Sequence, residues 1–452
     1  MRIPRIVISA SNSSSGKTML TCGISRALRK RGYKVQTFKV GPDFIDPQYL
    51  SLASGRKAVN LDSWLMSEEA ILRDFEKYCN EADIAIIEGV RSLYDSSDPL
   101  SLKGSTYSVA NILKAPILLT IDIRGLNMGS AAIAKGFVSL FNANIKGVIL
   151  NSARSESHEL KAKKAVEELA KIKVLGVIPR KKELEIGMRH LGLITVKEIE
   201  KEVENRIEKW SEVVEEKLEL EELLRIAEEA EELSEVDEEA KNEEFDVNVA
   251  IAFDKCFNFY YAQNLNYLKS FGANLKFFSP LESESFEDID GFMIGGGYPE
   301  IYGGEFNKAT MRSLKKKIED ECPCYAECGG LMFLCSRIIA YGREFEGVGL
   351  VSADVVLDVS KRFLGYTRAK VLRDNVVSLK NDTILGHEFH YSYLDPAEDL
   401  KYAYELERGY GIDGKRDGII LHNCLASYMH VLFSDPRMPR RFLEMCKNYK
   451  RK

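Results

Sequence analysis

Eight residues, Ser11-Asn12-Ser13-Ser14-Ser15-Gly16-Lys17-Thr18, lie between an apolar run ending at Ala10 and a helical pattern beginning at Met19. A turn of this kind, between a strand and a helix, can cradle phosphates with its backbone N–H groups and with the helix N-terminus. Ser14, Ser15 and Gly16 supply the turn, Lys17 a neutralising charge, and Thr18 a hydroxyl able to ligate magnesium. Ser11 stands where such loops usually carry their first glycine, so the run taken alone also reads as a Ser-rich turn.

Two acidic segments add to the phosphate reading. Lys39-Val40-Gly41-Pro42-Asp43-Phe44-Ile45-Asp46-Pro47 follows a second apolar run, and Glu88-Gly89-Val90 follows a third. Magnesium prefers oxygen ligands, typically one or two carboxylates together with nucleotide phosphates. Asp43 and Glu88 are therefore the candidate ligands beside Thr18, although an Asx turn at Asp43 and a helix cap at Glu88 are the plainer alternatives. Asp46, Asp62 and Asp95 are weaker candidates for contacts to substrate or for its activation.

The second half carries a different chemistry. Tyr325-Ala326-Glu327-Cys328-Gly329-Gly330-Leu331 places a cysteine between a short strand and a helix among small residues, the form of a nucleophile elbow. A helix N-terminus favours the thiolate, so Cys328 is the candidate nucleophile toward the side-chain amide of glutamine. Upstream, Gly295-Gly296-Gly297-Tyr298-Pro299-Glu300 ends another apolar run, and the N–H groups of Gly297 and Gly329 are candidates for an oxyanion hole. His430, far downstream, is the candidate base, with His387 and His390 as competitors. Cys322-Pro323-Cys324 followed by Cys328 lacks a second cluster to complete a tetrahedral metal site.

These residues need rigid elements to hold them. Over roughly 1–195, β-branched runs alternate with amphipathic stretches, which predicts a parallel α/β sheet with ligands at its carboxyl ends. Residues 196–245 are dominated by Glu and Lys with Leu, Ile and Val at helical spacing and read as a charged helical connector with a solvated face. A second α/β pattern occupies 246–452. The expected class is thus α/β with two domains, a nucleotide-binding sheet and a glutaminase-like sheet, joined by helix.

At 452 residues the chain is long enough for two cores. A net charge of −6 with no basic stripe argues against nucleic acid, and no run approaches the length of a membrane span. Nine scattered cysteines and no recognisable signal peptide suggest a reducing cytoplasm.

Taken in order, KVGPDFIDP, EGV followed by LYD, RHLGL at 189–193, GGGYPE, AECGGLMFL, GHEFHYS and SYMH resemble the cobyrinate a,c-diamide synthase family over nearly the whole chain except the acidic connector. The resemblance implies a P-loop domain like dethiobiotin synthetase and a class I glutaminase domain. It implies ATP and glutamine as co-substrates with magnesium, and conversion of two acetate carboxylates of a tetrapyrrole to amides through acyl phosphates. On this resemblance Cys328 is nucleophile and His430 base, while Lys17, Thr18, Asp43 and Glu88 serve ATP and magnesium. The tetrapyrrole is cobyrinate, on the cobalamin route, or nickel sirohydrochlorin, on the route to the nickel coenzyme of methanogens. The motifs do not separate the two, and a homodimer is one arrangement open to the chain.

Two departures stand out. Common class I glutaminases carry glutamate two residues after the histidine, where this chain has Leu432, so the third triad member is expected to be absent and glutamine turnover slow. Relatives commonly carry Met-Gly where Arg91 and Ser92 stand, which is expected to alter how the tetrapyrrole is held. Tyr366 is a further candidate for ligand or interface contact. The competing functions are a P-loop ATPase switch with an inactive appended domain and a dethiobiotin-synthetase-like carboxylase. Neither needs both GGGYPE and AECGG.

Overall fold

A computed structural model describes residues 2–184, 200–234, 244–396 and 399–452. The RHLGL motif at 189–193 lies outside these residues. Contacts divide the chain into two units, Met1–Glu238 and Glu239–Lys452.

The first unit is built on seven parallel strands: β1 (Arg5–Ala10), β2 (Val35–Val40), β3 (Val59–Leu61), β4 (Ile84–Glu88), β5 (Ile117–Asp122), β6 (Ile145–Ala153) and β7 (Val174–Pro179), in the spatial order β3-β2-β4-β1-β5-β6-β7. All six residues of β1 and of β2 are buried, as expected of strands covered on both faces. Register pairs Lys39 of β2 with Glu88 of β4, and Glu88 with Ile8 of β1. The loops after β1, β2 and β4 therefore emerge side by side at the carboxyl edge, where open α/β sheets bind ligands. The helix α1 (Lys17–Lys30) leaves the first of them.

The segment expected to be a solvated connector behaves differently where it is described. Helix Glu200–Lys217 packs along α1 and buries Val203, Ile207, Trp210 and Val214, a stripe at four- and three-residue spacing. The approach is close. A Cβ on Gly23 of α1 would lie 2.9 Å from the Trp210 carbonyl oxygen, and the Trp210 Nε1–H donates to the carbonyl of Leu184. Arg26 of α1 is nearly buried and pairs with Glu204 at 2.7 Å and with Glu208. Acidic residues flank the apolar stripe, so composition alone hid a face that completes the first unit's core.

The second unit has a nine-stranded sheet. Strands Ala273–Phe278, Val247–Ala252, Gly291–Ile294, Cys324–Glu327 and Cys424–Ser427 lie parallel in that order. Arg416–Leu421, Tyr402–Arg408, Phe363–Val371 and Thr383–His390 extend the sheet antiparallel from Cys424–Ser427. A four-stranded sheet and a short pairing of Phe257–Phe259 with Gly296–Gly297 complete the unit. Helix Gly329–Leu334 starts at the carboxyl end of Cys324–Glu327, with both elements buried.

Candidate functional sites

In the first unit the 11–18 turn is held from several sides. The Ser15 hydroxyl donates to the Asn12 carbonyl at 2.9 Å, and Asn151 Nδ2, from the end of β6, donates to the Ser15 carbonyl at 2.8 Å. Gly16 caps α1 at φ 90°, a conformation open to glycine, and a Cβ there would strike Asn151 Nδ2 at 2.4 Å. Ser14 is exposed at φ 60°. Lys17 is buried, donates to the Arg91 carbonyl at 2.6 Å, and is lowered to about 8 by burial and by the Lys39 charge. Arg91, whose carbonyl accepts this bond, itself has φ 49°.

Thr18 Oγ1 donates to Glu88 Oε1 at 2.7 Å. The same oxygen accepts from Lys39 Nζ at 2.8 Å, and Lys39 also pairs with Asp46 at 2.6 Å. Burial raises the Glu88 carboxyl to about 7 against the pull of Lys39. Burial opposes the Lys39 charge too, but Asp46 and Glu88 outweigh it and hold the ammonium protonated. Glu88 Oε2 is buried with no hydrogen-bond partner. A buried carboxylate oxygen left open beside a threonine hydroxyl and a phosphate-binding turn suits a hard cation, so the residues present fit magnesium.

The other acids divide. Asp43 Oδ1 accepts from the N–H groups of Ile45 and Asp46, both at 2.8 Å, which is an Asx turn at the start of helix Asp46–Ser54. Burial and the Asp46 carboxylate raise Asp43 to about 6. Asp62 likewise accepts from the N–H groups of Trp64 and Leu65. Asp95 is exposed, and its charge acts on Lys17. The motif alone does not single out Lys39; its signal is a lone cation in a buried strand, one residue before the strand ends.

In the second unit Cys328 has φ 48° and ψ −101°, a strained left-handed turn, and opens helix Gly329–Leu334. Its N–H donates to the Ser427 carbonyl at 2.7 Å, and its Sγ lies 3.8 Å from the Phe389 carbonyl. The elbow presses on the Gly295–Gly297 loop so closely that side chains are excluded. A Cβ on Gly329 would meet Gly297 N at 2.8 Å, and one on Gly297 would meet the Cys256 carbonyl oxygen at 1.8 Å. The two candidate oxyanion donors, Gly297 and Gly329, are thus neighbours beside the nucleophile.

His430 is buried close enough to Cys328 for the thiol to act on its ring. Burial alone would lower its pKa; the Cys328 charge and hydrogen bond, with Glu327 behind, raise it to about 10. His430 Nδ1 lies 3.3 Å from Glu327 Oε2. Asp417, buried and raised to about 6 by burial, accepts from the N–H groups of Tyr428 and Met429 and so anchors the segment that delivers His430.

The competing histidines have other partners. His387 and His430 exchange two backbone hydrogen bonds, their rings stack at 4.9 Å, and His387 Nδ1 meets the Tyr261 hydroxyl at 3.0 Å. Burial, then the His430 charge, keeps His387 neutral by pushing its pKa far down. His390 stacks on Tyr428 at 3.8 Å, with Nδ1 on the Ser392 carbonyl. Tyr366 is buried opposite His387 in the strand register. Cys322 and Cys324 are buried in the core, and no metal-holding cluster of three or more His, Cys, Asp or Glu occurs among the described residues.

Comparison with known proteins agrees with this division. Residues 6–194 match the CobQ/CobB/MinD/ParA nucleotide binding domain, and 248–438 match the CobB/CobQ-like glutamine amidotransferase domain. The cobyrinate a,c-diamide synthase of Archaeoglobus fulgidus is 43% identical over 98% of this chain and 98% of its own length. The chain belongs to the cobyrinate a,c-diamide synthase family. Family members named for the same activity in Methanocaldococcus jannaschii and Sulfurisphaera tokodaii are 42% and 39% identical, covering 95% and 97% of this chain and 96% and 99% of their own lengths. Among the described residues no helix is long and apolar enough to cross a membrane.

Proposed function

We propose that this protein is an ATP- and glutamine-dependent ligase that converts the a and c acetate carboxylates of cobyrinate to amides. The observation that carries the reading is Cys328 on a strained elbow whose next residue, Gly329, lies against Gly297, with buried His430 beside it and against Glu327, within a chain that also carries a phosphate-binding turn. Residues 246–452 are assigned the glutaminase role and 1–195 the synthetase role.

Cys328 attacks the side-chain amide carbon of glutamine while His430 takes the thiol proton and returns it to the departing nitrogen, giving ammonia and a thioester. The N–H groups of Gly297 and Gly329 stabilise the oxyanion. Water then releases glutamate and restores Cys328. In the first unit, transfer of the ATP γ-phosphoryl group to the substrate carboxylate gives an acyl phosphate. Ammonia displaces its phosphate to form the amide. Lys17 and the 11–18 turn bind the ATP phosphates, and Thr18 with Glu88 would hold magnesium, which neutralises phosphate charge. Lys39 holds Glu88 in place, and Asp46 pairs with the Lys39 ammonium as well.

The reading is tested by offering cobyrinate and nickel sirohydrochlorin separately to purified protein with ATP, magnesium and glutamine, and following product mass. A two-amide gain on cobyrinate is expected. A gain on nickel sirohydrochlorin alone would move the enzyme to the nickel coenzyme route, and no gain on either would return it to an ATPase role.

A further inference from the structure

The usual third triad position is occupied by Leu432, which is apolar and buried. The structure supplies a carboxylate from elsewhere. Glu327, immediately before the nucleophile, is 2% exposed. Its Oε1 accepts from the Tyr325 hydroxyl at 2.6 Å and from the Val431 N–H at 2.9 Å, and its Oε2 faces His430 Nδ1 at 3.3 Å. Two donors thus fix one oxygen while the other addresses the imidazole.

We propose that Glu327 is the positioning residue of the glutamine-hydrolysing site: it orients the His430 ring and holds its proton on Nδ1, leaving Nε2 to accept the proton of Cys328. Consecutive strand residues ordinarily point to opposite faces. The left-handed turn at Cys328 breaks that alternation, so Glu327 and Cys328 flank the same ring from adjacent positions. Strand Cys324–Glu327 pairs with Cys424–Ser427 in register Glu327 to Ser427, which sets the carboxylate beside the chain that reaches His430 three residues later. Other ionisable groups around this pair include His387, stacked on His430 and hydrogen-bonded to Tyr261, and Tyr325, which donates to Glu327. None of these offers His430 a second carboxylate. The triad logic of nucleophile, base and orienting acid is kept, with the acid moved to the other side of the nucleophile.

The inference rests on the glutaminase reading of Cys328, and the experiment separates the two. Glutamine hydrolysis and ammonia-dependent amidation are measured for wild type, Cys328→Ala, Glu327→Gln and Glu327→Asp. Glutamine should lose its oxygen acceptor toward Nδ1–H, dropping kcat for glutamine about 100-fold or more with KM within about threefold, and Asp should recover part of the loss. Ammonia-dependent amidation reports the first unit, and calorimetric unfolding of the same variants reports whether the second unit is folded. A Glu327→Gln enzyme with glutamine kcat within about threefold of wild type would overturn the proposal. Retention of glutamine use by Cys328→Ala would instead remove the glutaminase reading itself. Should Glu327→Gln fail to fold, 15N NMR of the six histidines in Cys328→Ala, where the thiolate that favours the doubly protonated ring is gone, followed to a pH at which His430 is neutral and with His430 assigned through His430→Gln, still decides: an Nδ1–H tautomer is expected, and an Nε2–H tautomer contradicts the assignment.

Discussion

Thr18 Oγ1 and Glu88 Oε1, seventy residues apart, are joined by a 2.7 Å hydrogen bond that leaves Glu88 Oε2 buried and open. If that oxygen serves magnesium, Glu88→Gln should reduce ATP-dependent amidation by at least about 100-fold with either glutamine or ammonia, because carboxylate charge at the ion is lost. Chelation of magnesium should do the same to wild type. ADP release in the presence of substrate measures both effects, and near-normal ADP release by Glu88→Gln would remove Glu88 from the site.

Lys39 compensates two acids at once, Glu88 and Asp46. Lys39→Met should leave buried carboxylates without a counter-charge and destabilise the first unit by about 3 kcal/mol. The two tryptophans are Trp64 and Trp210, both in the first unit, so denaturant unfolding followed by tryptophan fluorescence reports that unit. An unchanged midpoint would show that the pairing is not needed.

Gly296 lies against the His430 ring: a Cβ there would come within 2.6 Å of His430 Cε1. Gly296→Ala should displace the imidazole and lower glutamine-dependent amidation more than tenfold while sparing the ammonia-dependent reaction. Equal activity with both nitrogen sources would mean that the loop yields.

Glu300 carries a pH signature. Burial raises its carboxyl to about 7, and its one hydrogen bond comes from its own backbone. A folded value above the unfolded one, about 4.5, means a contribution fully present below the unfolded pKa and lost as pH rises through about 7. Glu300→Gln should therefore gain on the order of 2 kcal/mol relative to wild type at pH 8, and less at pH 5. A gain independent of pH would contradict this.

The two-sheet architecture was legible because the strands of the first unit are rich in β-branched and other apolar residues, and the loops after β1, β2 and β4 carry the residues with chemistry. Within the first unit Thr18 bonds Glu88 and Lys17 lies near it, and within the second His430 lies beside Cys328 and Glu327. Three features were hidden. The face of helix Glu200–Lys217 is masked by its acids, since Val203, Ile207, Trp210 and Val214 form a narrow stripe. Asp43 and Asp62 each accept from nearby backbone N–H groups with Oδ1, a role that depends on turn geometry and not on residue type. Glu327 was in plain view inside AECGG, but its meeting with His430 depends on the backbone twist at Cys328 and on a pairing across about a hundred residues. The visible signal was an acid closing an apolar strand.

The division of labour between Cys328 and the nucleotide site is tested most directly by nitrogen source. Wild type and Cys328→Ala would be given ATP, magnesium, cobyrinate and either amide-15N glutamine or 15N ammonium, and product mass recorded. Wild type should gain two labelled amides from glutamine, and Cys328→Ala should gain them from ammonium alone. Labelled product from glutamine in Cys328→Ala, or no product from either nitrogen source, would contradict the account.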